Sequence, residues 1–336
     1  FVTIHHQKDL VNLLEHDPGN HGSGQRWFGE ELSGTRVQSF GNEFTFDEIL
    51  SDENVFIQAV VAGRCAQLST FEIKSGNQTI GRINTPQVYY GTNNIYANPG
   101  SLSTSFKSPN DNLALSVNYL NTSVVSEGWL DYVQASAFTN LKYFNKPLLI
   151  SHPDQVNFYS TGFNVLSSTV YQDLWNVTDP LNISGIKTDQ IIPGGFNFQV
   201  LNNQARGRYV YFDRNDINLP NPKFIAKLEN QNLHGLETAD MLVVYHKNFK
   251  DEALRFAKHR SSFSGLNVVT VDVDQVANEF GGGVKDPSAL RDMCRMLYSR
   301  APSKFRYLLL FGDGSYDFRH VDTRTDDQNF VPTYET

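Results

Sequence analysis

The stretch best equipped for chemistry is Gly312-Asp313-Gly314-Ser315, which follows the apolar run Phe305-Arg306-Tyr307-Leu308-Leu309-Leu310-Phe311. The unbroken run reads as a strand covered on both faces, and the flanking glycines let the backbone turn sharply behind it. Asp313 and Ser315 then stand at the carboxyl end of a strand. In open α/β sheets ligands bind at that end, so Gly312, Asp313, Gly314 and Ser315 are candidates for a ligand site. Carboxylates continue with Asp317, Asp322, Asp326 and Asp327, and His320 lies among them. Asp313, Ser315 and Asp317 fall at i, i+2 and i+4, the spacing of a calcium loop, which makes Asp313 and Asp317 candidate calcium ligands. No glutamate follows where an EF-hand needs one. The alternative is that the glycines serve the turn and the carboxylates face water.

The remaining reactive residue types carry less. His5, His6, His16 and His21 crowd the first 25 residues, but without the regular spacing or helix face of a metal site, and 1–25 reads as a polar lead-in segment. Cys65 ends the strand-like run Ala59-Val60-Val61-Ala62-Gly63-Arg64. Cys294 joins Leu290, Met293 and Leu297 at helical spacing on an apolar stripe. A nucleophilic thiol must be reachable and needs a base or a positive field, so both cysteines read as free thiols in the core. Asn-X-Ser/Thr triplets at Asn77, Asn121, Asn176 and Asn182 fit chance in an asparagine-rich chain and are not evidence of secretion.

These residues must be positioned by more than one domain, because 336 residues exceed the size of an average one. Hydrophobic content of 40% and charged content of 19% describe a globular protein, and 24 Phe with 15 Tyr favour β structure. A net charge of −8 argues against nucleic acid as the main partner. No run of about 18 apolar residues occurs, so no membrane-spanning helix is expected. Phe1-Val2-Thr3-Ile4-His5-His6 has neither the charged nor the apolar region of a signal peptide.

Short strand patterns recur from Arg26 to Phe212: Asn54–Val61, Ser69–Lys74 and Gln78–Ile83 joined by the turn Ser75-Gly76-Asn77, the cleanly alternating Asn112–Leu120, then Leu130–Ala135, Gln155–Tyr159, Thr169–Val177, Phe196–Val200 and Arg208–Phe212. Residues 26–222 are therefore expected to form a β-rich, sandwich-like or jelly-roll-like domain. The breaker cluster Asn218-Leu219-Pro220-Asn221-Pro222 closes it, and 223–336 reads as βαβαβ with parallel strands. Its expected parts are a strand over Ala239–Tyr245, a helix over Lys250–Ser264 with Ala253, Leu254, Ala257 and Ser261 on one face, and a strand over Asn267–Val273. A short turn from Gln275 to Phe280 follows, then a helix opened by Asp286-Pro287 and the strand of the opening motif.

Three groups of residues in this second part resemble the gingipain-like cysteine peptidases: Leu233-His234-Gly235-Leu236 before Ala239-Asp240-Met241, Val271-Asp272-Val273-Asp274-Gln275-Val276 with Asn278-Glu279-Phe280, and Leu308–Asp317. With Leu174-Trp175-Asn176-Val177-Thr178-Asp179-Pro180 they are most similar to the PorU-type sortases of the type IX secretion system. The agreement runs from about residue 170 onward; upstream it rests on β character and Gly22–Glu30. The resemblance implies the first half of a caspase-like peptidase domain behind a β-rich domain, exported to the cell surface and held at the outer membrane through partners. It implies cleavage of C-terminal secretion signals from cargo, with the acyl group passed to water or to lipopolysaccharide. The implied partners are an outer-membrane β-barrel shuttle protein, other type IX surface subunits and the cargo signal domains. The resemblance implies no required cofactor and gives Asp313, with Gly312, Gly314 and Ser315, a place in the wall of the substrate cleft. The family's nucleophilic cysteine and histidine base have no counterpart here and are expected beyond Thr336, so residues 1–336 alone are expected to be inactive. Two other readings stay open: a non-catalytic surface assembly or adhesion module whose β domain docks on an outer-membrane barrel, and a flavodoxin-like or phosphatase-like α/β protein.

Overall fold

The computed structural model describes residues 1–13, 26–90, 95–167, 173–188, 190–201, 206–216, 219–315, 317, 321 and 329–333. His16, His21, His320, Asp322, Asp326 and Asp327 lie outside the described residues. The chain divides into two compact units, the first reaching Lys223 and the second made mainly of Phe224–Thr336.

The strands up to residue 137 are β1 (Val2–Gln7), β2 (Val11–Asn12), β3 (Trp27–Phe28), β4 (Val37–Ser39), β5 (Val55–Arg64), β6 (Ser69–Ser75), β7 (Gln78–Thr85), β8 (Asn98–Phe106), β9 (Leu115–Tyr119) and β10 (Glu127–Ala137); β2 and Trp27 of β3 belong to the second unit and the rest to the first. Two antiparallel sheets, β1-β10-β5-β8 and β4-β9-β6-β7, share one core. The alternation read in the sequence is what the sheets use: Leu115, Val117 and Tyr119 of β9 are buried while Ser116 and Asn118 are half-exposed. Where β7 and β8 approach, Gly100 is required, because a Cβ there would lie 2.6 Å from the Ile83 side chain.

A second core follows in the same unit. Its strands are β11 (Leu148–Ile150), β12 (Ser160–Leu166), β13 (Asp173–Asn176), β14 (Ser184–Gly185), β15 (Gln190–Ile192), β16 (Gly195–Leu201) and β17 (Tyr209–Phe212). The sheets β11-β17-β13-β14 and β12-β16-β15 enclose Phe163, Phe196, Phe198, Tyr209 and Tyr211. The β region thus has two cores where one sandwich-like core was expected. Gln155–Asn157 is a 3-10 turn and not a strand, and β12 begins only at Ser160. β8 was not expected at all, since Asn98-Pro99-Gly100-Ser101 reads as a breaker and only Leu102 and Phe106 along it are apolar.

The expected lead-in is corrected as well, because Val2–Gln7 is an edge strand paired with β10. Val2 and Ile4 are half-buried and His6 is buried, whereas Thr3, His5 and Gln7 are exposed. His6 hid this alternation by being polar. Its Nδ1 meets both Glu43 carboxylate oxygens at 2.8 and 2.9 Å, and its Nε2 meets Glu30 Oε1 at 2.9 Å. The ring thus bridges two carboxylates from different parts of the chain. Burial would raise the Glu30 carboxyl, but hydrogen bonds from Lys8 and His6 outweigh it and hold it below its ordinary value.

The second unit is built on β18 (Met241–Tyr245), α1 (Lys250–Ser264), β19 (Val268–Asp272), α2 (Val273–Phe280), α3 (Pro287–Arg300) and β20 (Tyr307–Phe311). The three strands are parallel in the order β19-β18-β20. Met241, Val243 and Tyr245 pack with Ala253 of α1, and Leu242 and Val244 pack with Val276 of α2 and Met293 and Leu297 of α3. α1 ends at Gly265 in the left-handed region, as the sequence implies. Leu254, expected on its inner face, is 43% exposed. The second strand ends at Asp272, one residue earlier than expected. There Asp272 accepts a 2.9 Å hydrogen bond from the Asp274 amide and caps α2, which replaces the expected turn. β20 starts at Tyr307 and is not covered on both faces: Tyr307 and Leu308 are 47% and 46% exposed, because it is an end strand.

Replacing His6 with Phe leaves two carboxylates against an apolar ring and is expected to lower unfolding free energy by about 2–4 kcal/mol in urea denaturation followed by circular dichroism.

Candidate functional site

From β18 the chain passes through α1 to β19 on one side, then through α2 and α3 to β20 on the other. In open α/β sheets ligands bind where strand order reverses, which here is at the carboxyl ends of β18 and β20, where Tyr245 and Phe311 are paired. Gly312-Asp313-Gly314-Ser315 leaves β20 there, and His246 leaves β18.

Packing explains both glycines. Gly312 has φ +155°, and a Cβ on it would lie 2.9 Å from Phe330 Cβ. A Cβ on Gly314 would lie 2.7 Å from the Thr333 side chain and 2.9 Å from the Val331 carbonyl oxygen. The close approach lets the Asp313 carbonyl accept from the Phe330 amide at 2.9 Å and the Val331 amide at 3.2 Å. The Asp313 carboxylate is exposed and accepts from the Gly314 amide at 3.1 Å. Ser315 and Asp317 turn the other way and are buried. Ser315 Oγ accepts from the Asp317 amide at 3.1 Å, and Asp317, only 1% exposed, accepts from the Val321 amide at 2.9 Å. Among the described residues no group of three or more His, Cys, Asp or Glu side chains is placed to hold a metal ion.

Sequence reasoning missed an aromatic cluster at this edge. The His246 ring lies 5.0 Å from Phe330, and Phe330 meets Phe249 edge-on at 4.9 Å. His246 Nδ1 accepts from the Asn248 amide at 3.3 Å. The available signal was its position directly after a buried strand. A cavity of about 260 Å³ also opens at the carboxyl ends of β18 and β19, lined by Tyr245, Lys250, Asp272, Gln275 and Asn278 among others.

No thiol belongs to this edge. Both cysteines are free, and Cys65 is a buried residue of the first unit. Cys294 packs against the core of the second unit, and burial pushes its thiol up to about 11. A thiol held so far from ionisation is a poor nucleophile near neutral pH.

The motif residues before β18 prove to be a clamp. Glu279 of α2 accepts from the amides of Leu233 at 2.7 Å and His234 at 3.0 Å, from His234 Nδ1 at 2.8 Å and from Gln231 Nε2 at 3.0 Å. The His234 ring stacks on Phe280 at 4.3 Å, and Arg300 donates to the carbonyls of His234 and Leu236. Burial would raise the Glu279 carboxyl, but these donors outweigh it and hold its pKa down at about 2.

Residues 234–336 match the family model for peptidase family C25, a family of cysteine peptidases that includes the gingipains. The solved structure titled crystal structure of dimeric latent PorU from Porphyromonas gingivalis matches with TM-score 0.79 and 22% identity, covering 99% of this chain and 32% of that one. This chain therefore has a PorU-like fold and spans about a third of the length of the PorU chain it matches. No curated protein matches the sequence. The family C25 match falls on the residues that carry the motifs of the second part, and the likeness in fold to the PorU structure extends well upstream of residue 170.

Because the folded pKa of Glu279 lies below its unfolded value of 4.5, its contribution is complete above about pH 4.5 and is lost as pH falls towards 2. Glu279→Gln is expected to flatten this acid limb in pH-dependent urea unfolding. Alkylation of Cys294 by iodoacetamide is expected to be at least tenfold slower at pH 8 than that of a free cysteine, read by intact mass.

Proposed function

We propose that this chain is part of a gingipain-like cysteine peptidase of the sortase type, contributing its β-rich region and the first half of a caspase-like peptidase sheet. The observation that carries the reading is the family C25 match over 234–336, the residues that also form the parallel sheet with its reversal of strand order. In this reading the carboxyl ends of β18 and β20 form the near wall of the substrate cleft. The exposed Asp313 carboxylate faces hydrogen-bond donors of a bound peptide, and Gly312 and Gly314 hold the loop that carries it. The nucleophilic cysteine and the histidine base come from residues outside 1–336, since both thiols in this stretch are committed to packing.

The chemistry would be acyl transfer. A thiolate attacks the peptide carbonyl, the amine leaves with a proton from the histidine, and water or an acceptor amine resolves the thioester. Secretion signals as substrate, a lipopolysaccharide acceptor, outer-membrane barrel partners and a cell-surface location belong to the same proposal.

In a full-length protein carrying this stretch, Asp313→Ala is expected to lower kcat/KM for peptide cleavage about tenfold, or about 1.4 kcal/mol, with the melting temperature unchanged because the side chain is exposed. A kcat/KM within twofold of the parent would remove Asp313 from the cleft and favour a non-catalytic assembly role for this face. Residues 1–336 alone are expected to give no turnover of the same peptides.

A further inference from the structure

A cavity of about 400 Å³ in the first unit lies outside everything the peptidase reading uses. Phe1, Leu149, Ile150 and Val177 give it apolar walls, and Arg206 and Arg208 stand on its rim, both exposed. Its size falls within the range of about 300–1,000 Å³ typical of small-molecule sites.

The presentation of the two arginines is built into the fold. Gly207 between them is buried, and its amide donates to Gln155 Oε1 at 3.0 Å. Gln155, 1% exposed, also donates through Nε2 to the Tyr209 hydroxyl at 2.8 Å. Any side chain on residue 207 would run into that hydroxyl. With Gly207 and Tyr209 turned inward, the alternation of an extended chain turns Arg206 and Arg208 outward together. Arg208 is held on both sides: its amide donates to Thr178 Oγ1 and its carbonyl accepts from the Val177 amide, each at 2.9 Å. The Arg206 guanidinium lies 5.3 Å from the centre of the Phe1 ring, along the cavity wall.

Charge sets these two apart from other arginines of the unit. Arg82 and Arg214 pair with Glu72 and Asp173, Arg64 lies 3.4 Å from Glu127, and Arg36 donates to the Ser123 and Ser126 carbonyls. Among the described residues no carboxylate lies within 4.0 Å of Arg206 or Arg208. In a chain of net charge −8, two guanidinium groups two residues apart, with no carboxylate beside them among the described residues, make the rim of this cavity locally positive. Guanidinium groups take carboxylates through paired N–H donors.

We propose that this cavity binds a carboxylate carried on an apolar body, the anion held by Arg206 and Arg208 and the body lying against Leu149, Ile150 and Val177. Calorimetric titration of the chain at low salt with 4-phenylbutyrate tests it, with neutral 4-phenylbutanamide and inorganic phosphate as comparison ligands. Saturable binding of the carboxylate is expected, with the amide and phosphate each at least tenfold weaker. The double variant Arg206→Gln/Arg208→Gln is expected to bind at least tenfold more weakly at an unchanged melting temperature. Should that variant melt early, Arg208→Lys, which keeps the charge but loses the paired donors, is expected to weaken binding at least threefold. Absence of carboxylate binding, equal binding of the amide or phosphate, or undiminished binding by the arginine variants would each overturn the proposal.

Discussion

Burial of β18 on both faces is the constraint on which the second unit depends. All five residues from Met241 to Tyr245 are buried, three of them against α1 and two against α2 and α3. Removing such side chains from water contributes about 1.5–3 kcal/mol each, so the strand specifies which helix covers which side. The parallel connections that bring those helices over the sheet also set the strand order, and strand order sets the point of reversal at which open sheets bind ligands. Gly312 and Asp313 stand at that reversal because β20 lies beside β18, with Leu309 and Phe311 sharing the α1 side and Leu310 the other.

A second theme is how polar groups are made tolerable at buried and half-buried positions. His6 sits between Glu30 and Glu43, Glu279 collects the donors of residues 231–234, and Asp317 takes the Val321 amide. In each case a charged or ionisable group is satisfied by groups distant in the chain or by nearby backbone, which ties segments together that apolar contact alone would leave loose. The clamp on Glu279 explains in physical terms why Leu233-His234-Gly235 and Asn278-Glu279-Phe280 occur together: each supplies what the other needs.

The half with the parallel strands was the more legible in the sequence. Lys250–Ser264 with its Gly265 stop, the Asp286-Pro287 helix start and the Cys294 stripe are local signals, and local capping and periodicity decide them. The β half was read less well. β1 was hidden by a buried histidine whose carboxylate partners lie 24 and 37 residues away, and β8 by a polar edge strand with a proline and a glycine. Of the candidate site, the glycines and Asp313 could be placed at a strand end from the sequence. Phe330 and His246 could not, because they meet only after the chain returns to β20 from residues 329–333.

The sequence by itself determined that a parallel α/β part follows a β-rich part, and that a glycine-flanked aspartate ends its last strand. These properties live in hydrophobic period, in capping residues and in glycine's freedom at positive φ, all of which act over a few residues. Only the tertiary structure decided that Asp313 faces outward while Asp317, four residues on, is sealed inside. It also decided that β20 is an end strand with half its face open, and that Arg206 and Arg208 share the rim of one cavity. The reason is the same in each case: whether a side chain meets water, a partner or a void depends on what the rest of the chain brings against it.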